Sequence, residues 1–266
     1  MKTSELLKLY GIKLNKNLGQ NFLSNISVAE KIVNIANVKD DDVILEIGAG
    51  AGTLTEALLK TGAFVYAVEI DLQLKDVLYR LKHYKNLHLI FDDILKLDLS
   101  FLPENFRCIS NIPYSITGHV IKKILFSNFF DAYLMVQKEV GERLLSKPGD
   151  SNRGFLTVVV QSICEIKKVL NVSKSNFVPN PEIDSSVIFF KKKKESLKNE
   201  NLELYWQFVS NCFRQKRKTL RNNLKTFLNK EQIELLEKEI DLTKRPEDIS
   251  ERDFLKMWKI VYKKPL

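Results

Sequence analysis

Through the first two thirds of the chain, short runs of β-branched and aromatic residues alternate with stretches in which apolar positions recur every three or four residues. The runs predict strands at Val43–Ile47, Phe64–Val68, Leu87–Phe91, Arg107–Ser110, Ala132–Val136, Ile166–Val172 and Ser186–Phe190. The longer period predicts helices at Val28–Ala36, Thr53–Lys60, Leu72–Leu81, Gly118–Leu125, Glu139–Leu145 and Leu156–Cys164. Alternation of this kind is the pattern of an α/β domain, a mostly parallel sheet with helices on both faces. No obvious helix separates the last two strands, so an antiparallel hairpin is expected to close the sheet.

After Phe190 the pattern changes to KKKKESLKNEN, a charged, apolar-poor segment that reads as a linker. Helical periodicity resumes at Leu204–Phe213, Thr219–Phe227, Glu231–Ile240 and Glu251–Val261, with Pro246 and Ser250 punctuating before the last helix. The expected organisation is a Rossmann-like α/β domain over residues 1–191 and a small all-α domain over residues 192–266.

A length of 266 residues with 44% hydrophobic content suits such a pair and argues against general disorder. The N-terminus MKTSELLKLYGIKL lacks the apolar centre of a signal peptide, and no run of about 18 apolar residues occurs. A soluble, cytoplasmic, monomeric protein without membrane contact is expected. Cys108, Cys164 and Cys212 are widely spaced and outside any metal-binding pattern, so they are expected to be core thiols, with no metal. The charge is uneven: residues 191–266 carry +8 of the net +9, which points to a polyanion, nucleic acid ahead of a membrane surface.

Candidate chemistry clusters at strand ends. The strand Val43–Ile47 runs into Gly48-Ala49-Gly50-Ala51-Gly52, where backbone can approach a nucleotide-type ligand. The third glycine follows the second by two residues, so the loop departs from the dinucleotide fingerprint. The next strand ends at Glu69, placed to accept both hydroxyls of a ribose, and the third at Asp92-Asp93, placed to meet an adenine amino group. The fourth runs into Asn111-Ile112-Pro113-Tyr114. There the Asn111 carbonyl and the backbone carbonyl before Tyr114 can accept both N–H bonds of an aryl amine and free its lone pair, while Tyr114 offers a stacking face. Any one of these is explained by a turn; four rim features in order are not.

With these motifs the chain resembles the S-adenosylmethionine-dependent methyltransferases and, within them, the ribosomal RNA adenine dimethyltransferase family. NLGQNFLS from Asn17, LEIGAGAGTLT, Glu69, Asp93, NIPYSIT, QKEVGERL from Gln137 and FVPNPEIDSSV from Phe177 carry the resemblance across nearly the whole chain. It implies S-adenosylmethionine as cofactor, held by Gln20, Asn21, Leu23, Gly48, Gly50, Gly52, Glu69, Ile70, Asp93, Ile94 and Asn111. It implies a catalytic set of Asn111, Pro113, Tyr114 and Phe177, the last stacking on the target base opposite Tyr114. The implied reaction is dimethylation of the 6-amino group of two adjacent adenosines near the 3′ end of small-subunit ribosomal RNA, late in assembly of that subunit. Arg214, Lys216, Arg217, Lys218 and Arg221, in FRQKRKTLRNNL, are the candidate RNA-phosphate contacts.

Ile112 resembles the RNA enzymes, because DNA adenine methylases usually place a second proline inside the tetrapeptide. Gly141, Arg153, Asn180 and Glu182 depart from the family pattern without removing a catalytic group, although Glu182 disfavours a phosphate contact there. Two rivals are a large-subunit ribosomal RNA resistance methylase and a non-catalytic RNA-binding assembly factor. The tail motifs FRQKRKTLRNNL and RPEDISERDF favour the small-subunit enzymes over the first, and the intact glycine loop and NIPY favour catalysis over the second.

Overall fold

The computed structural model describes residues 2–15, 18–194, 197 and 199–263. Asn17 of the NLGQNFLS motif and Glu195, Ser196 and Lys198 of the expected linker lie outside the described residues. The chain divides into two compact units, Met1–Gly141 with Lys167–Lys192, and Glu142–Ile166 with Lys193–Leu266.

The first unit contains α1 (Thr3–Leu9), β1 (Phe22–Leu23), α2 (Ile26–Ala36), β2 (Val43–Ile47), α3 (Thr53–Leu59), β3 (Phe64–Glu69), α4 (Lys75–Tyr79), β4 (Leu87–Phe91), β5 (Phe106–Asn111), α5 (Thr117–Leu125) and β6 (Phe129–Gln137). α6 (Lys138–Leu144) runs out of it, β7 (Cys164–Val172) runs back in, and β8 (Phe177–Val178) and β9 (Ser185–Lys192) complete it. All seven expected strands are present, in one sheet of order β4-β3-β2-β5-β6-β9-β7. Pairing is parallel from β4 through β6, and β9 joins β6 antiparallel, with Leu134 opposite Ile188. The last two strands are neighbours, as expected, but β9 lies inside and β7 at the edge.

Local chemistry explains the element ends. Asn25 caps α2 by accepting from Ser27 N, and Asn37 ends it in the left-handed conformation, while Ala29, Ile32, Val33 and Ala36 form its buried stripe. The helix expected at Leu72–Leu81 is instead a 3₁₀ turn, Leu72–Leu74, capped by Asp71, followed by the short α4. The two-residue strands β1 and β8 pair antiparallel, Phe22 with Val178 and Leu23 with Phe177, and were not expected.

β2 and β5 pair through Ile44↔Arg107 and Leu45↔Cys108. Farther along, the Ser110 hydroxyl accepts from Ile47 N at 2.9 Å. A side chain thereby supports the strand end at the point where the order reverses, with β3 on one side of β2 and β5 on the other. This is the switch point at which α/β sheets hold ligands.

The second unit contains α7 (Phe155–Ile163), α8 (Asn199–Cys212), α9 (Leu220–Leu224), α10 (Lys230–Glu237) and α11 (Glu251–Val261). Residues 142–166 were expected in the first domain; they pack in the second unit because α7 buries Thr157, Val158, Val159, Val160, Ser162 and Ile163. A helix apolar on that many sides needs neighbours all around it. The Tyr205 hydroxyl meets Ser162 Oγ at 2.6 Å, its ring stands edge-on to Trp258, and Phe155 stands edge-on to Trp206. Among the described residues no helix is long and apolar enough to cross a membrane, and all three cysteines are buried.

Candidate active site

The carboxyl ends of β2, β3 and β5 and the segment from Leu18 to Leu23 line one cleft of the first unit. It brings together Gln20, Asn21, Leu23, Gly48, Gly50, Glu69, Ile70, Asn111, Pro113 and Tyr114, ten of the residues expected from the sequence.

The glycine loop is shaped by backbone requirements. Gly48, Gly50 and Gly52 have φ of +77°, +57° and +81°. A Cβ on Gly50 would stand 2.8 Å from Phe22 Cδ1, and one on Gly48 would stand 3.1 Å from Pro113 Cδ. Close packing at the floor therefore excludes side chains there, leaving backbone at the cleft surface. Glu69 fixes the loop, because its Oε2 accepts from Gly50 N at 2.8 Å and its Oε1 from Asp71 N at 2.9 Å. Burial raises the Glu69 pKa, and these N–H donors oppose the rise by favouring the carboxylate. The N-terminal segment is tied across the cleft: Gln20 Nε2 donates to Asp71 Oδ2 at 2.6 Å, and Asn15 N donates to Gln20 Oε1 at 2.8 Å.

At the end of β5, Asn111 Nδ2 donates to the Asn21 carbonyl at 3.2 Å. That contact identifies which end of the carboxamide is nitrogen and leaves Oδ1 as a buried acceptor with no partner. A buried acceptor left unmatched costs about 1–3 kcal/mol, so it marks a place where a donor is expected. The Pro113 carbonyl already accepts from Ile116 N at 3.2 Å and keeps one lone pair for a second donor. Tyr114 is half-buried, its hydroxyl lies 2.7 Å from Ser185 Oγ, and burial raises its pKa.

Four expected residues do not line the cleft. Gly52 instead starts α3, where a Cβ would press on Leu81 Cδ1 at 3.0 Å. Asp93 caps its own turn by accepting from Leu95 N, and Ile94 is buried. Phe177 was expected to stack on a base; in the structure it is 1% exposed and belongs to the core with Phe22, Leu23 and Val172. Its pairing opposite Leu23 in the β1–β8 ribbon turns its ring inward, so it supports the cleft wall.

Sequence reasoning missed Leu18, Gly19, Phe22, Glu46, Ala49, Ala51, Thr53, Leu54 and Ile112 as lining residues. Glu46 had a readable signal, a carboxylate inside the otherwise apolar strand VILEI. It is 1% exposed, and burial, reinforced by the neighbouring Glu69 charge and opposed by Thr55, pushes its pKa up to about 8.

Of the candidate RNA contacts, Arg214, Lys216, Arg217 and Lys218 lie in an exposed loop between α8 and α9. The buried Asn223 amide holds this loop, accepting from Gln215 N at 2.8 Å and donating to Gln215 O at 3.2 Å. Arg221 is on α9 and pairs with Glu237 at 2.7 Å, so its charge is already matched.

A sheet of this order, with a glycine loop at its switch point, an acid ending the next strand and an asparagine ending the fourth, defines a class I methyltransferase fold. The sequence model of the ribosomal RNA adenine dimethylase family matches residues 11–263, and the chain belongs to that family. Ribosomal RNA small subunit methyltransferase A of Thermotoga neapolitana is 49% identical over 262 residues, 98% of this chain and 96% of the relative. The protein of that name from Malacoplasma penetrans is 41% identical over 248 residues, 91% and 90% of the two chains. The crystal structure of a dimethyladenosine transferase from Plasmodium falciparum matches with a TM-score of 0.77 at 32% identity, covering 89% of this chain and 95% of that one.

Proposed function

We propose that this chain transfers methyl groups from S-adenosylmethionine to the 6-amino groups of two adjacent adenosines near the 3′ end of small-subunit ribosomal RNA, during late assembly of that subunit. Family membership supports the reaction class, and the buried, unpartnered Asn111 Oδ1 beside Tyr114 carries the assignment of the amine site. When bound, the cofactor supplies a methyl group on a sulfonium sulfur, open to in-line displacement by a nitrogen lone pair.

The chain's residues suit that chemistry. Gly48 and Gly50 present backbone to the cofactor, Glu69 offers carboxylate lone pairs to a ribose, and Gln20 closes the N-terminal segment over the cleft. Asn111 Oδ1 and the free lone pair of Pro113 O accept the two N–H bonds of the target amine, drawing its nitrogen toward tetrahedral geometry. Tyr114 stacks on the splayed base and stabilises the cationic nitrogen as the methyl arrives. No side chain needs to act as general base, because the proton leaves an already cationic amine to solvent. Phe177 contributes by holding β1 against β8 behind the cleft. Arg214, Lys216, Arg217 and Lys218 supply exposed charge for phosphate contacts.

The test offers purified small subunits, large subunits and DNA with labelled S-adenosylmethionine. Label is expected in small-subunit RNA, and the Asn111→Ala variant should lose about 100-fold to 1,000-fold in rate while binding cofactor within a few-fold of wild type. Labelling confined to large subunits would overturn the substrate, and full activity in Asn111→Ala would overturn the amine site.

A further inference from the structure

The cleft is assembled from two halves of one sheet. On one side β2 pairs with β3 as far as Ile47↔Val68, and the Gly48 and Ala49 N–H groups donate to the Val68 carbonyl at 2.8 and 3.2 Å. That half carries the glycine loop. On the other side β5 pairs with β6 through Ser110↔Leu134 and Asn111↔Met135, and Ile112 N donates to the Met135 carbonyl at 3.2 Å. That half carries the amine site. Between the halves, the pairing of β2 with β5 ends at Leu45↔Cys108, so Ile47 and Ser110, the residues directly before Gly48 and Asn111, stand beyond the ladder.

A side chain takes over there. Ile47 and Ser110 are both buried, and the Ser110 hydroxyl accepts from Ile47 N at 2.9 Å, a donor that would otherwise be orphaned. Packing limits the opposite movement, because Pro113 lies so close to Gly48 that an added Cβ would stand 3.1 Å from Pro113 Cδ. The hydroxyl limits how far the two halves part, and the proline how closely they approach. Resting on the proposed methyl transfer, we infer that Ser110 is a positioning residue that sets the spacing between the cofactor cradle and the amine acceptor. In-line displacement needs the reacting atoms about 3–3.5 Å apart, and a misplacement of about 1 Å can cost about 100-fold. Gly50 and Glu69 belong to one half, Asn111 and Tyr114 to the other. A change in spacing therefore leaves each half intact and is felt in the transfer step.

The test measures single-turnover methyl transfer by the full chain, saturated with S-adenosylmethionine and small subunits, under reducing conditions and well below Tm. Ser110→Ala should slow transfer by roughly tenfold to 100-fold, with Kd for S-adenosylmethionine and for small subunits within about twofold of wild type. Ser110→Cys fills the same space with a weak acceptor and should lose at least about fivefold, which keeps the test decisive if the alanine variant folds poorly. Ser110→Thr retains the hydroxyl and should keep at least about a third of the wild-type rate. Cys108, whose Sγ lies 3.5 Å from the Ser110 hydroxyl in the same buried layer, supplies the control. Cys108→Ala should lower Tm yet transfer within about twofold of wild type, because the bond to Ile47 survives. Wild-type rates in Ser110→Ala or Ser110→Cys, an equal loss in Cys108→Ala, or a loss carried by Kd for S-adenosylmethionine overturns the inference. Absence of transfer by the wild-type chain to any RNA overturns the proposed function instead.

Discussion

Ser185 opens β9 with its side chain 1% exposed and its Oγ 2.7 Å from the Tyr114 hydroxyl. The neighbouring backbone is pinned as well, because Lys138 N donates to the Asp184 carbonyl at 2.9 Å. The tyrosine that closes the Asn-Ile-Pro-Tyr tetrapeptide is thus fixed at its far end by a strand more than 70 residues away in sequence. On the proposed mechanism Ser185 is a positioning residue that acts through the angle of the Tyr114 ring. Removing one neutral hydrogen bond costs about 0.5–1.5 kcal/mol, so Ser185→Ala should lower kcat by about threefold to tenfold. KM for the cofactor should not move, and Ser185→Thr should recover the loss. Combining Ser185→Ala with Tyr114→Phe should cost no more than either change alone, because both remove the same contact. Additive losses in that double-mutant cycle would reduce Ser185 to a general packing role.

Gly50 joins the glycine loop to the β1–β8 ribbon. An alanine there meets Phe22 Cδ1 at 2.8 Å and must hold φ near +57°, a conformation costing L residues about 1–2 kcal/mol. Gly50→Ala should weaken S-adenosylmethionine binding more than tenfold in a direct titration and lower Tm, whereas Gly118→Ala, with open space at its Cβ, should do neither. The contrast shows what the sequence makes legible. Strand periodicity located every member of the main sheet, and the last helix matched residue for residue, since Glu251–Val261 carries its own Ser250 cap and a clear apolar stripe. A two-residue strand has no period to read, so β1 and β8 could not be seen. With them went the true place of Phe177, whose motif suggests a binding aromatic while its pairing with Leu23 makes it core. Glu46 was legible as an anomaly in VILEI, but its missing partner is a tertiary fact. The membership of residues 142–166 in the second unit was equally hidden, because what buries α7 lies far along the chain.

At the scale of the whole molecule, residues 191–266 hold +8 of the net +9, yet the structure shows that these cations are not equivalent. Arg221 is held by Glu237 at 2.7 Å and Lys256 by Glu239 at 2.6 Å, solvent-screened pairs that blunt local charge. Arg217 and Lys218 stand exposed in a loop whose backbone Asn223 fixes, so their charge is presented at little further ordering cost on binding. Each phosphate contact contributes a salt slope of about 0.7 to 0.9 in the logarithm of affinity. Neutralising Arg217 and Lys218 together should therefore flatten the salt dependence of small-subunit binding by about 1.4 to 1.8. Arg221→Gln should leave the slope unchanged and show itself in thermal stability instead. A slope unaltered in the double variant would return the loop to a solvated surface, and a slope lost in Arg221→Gln would mean that RNA displaces Glu237. Measuring both variants across a salt series, with cofactor binding as a check that the first unit is intact, separates recognition by the tail from chemistry in the cleft.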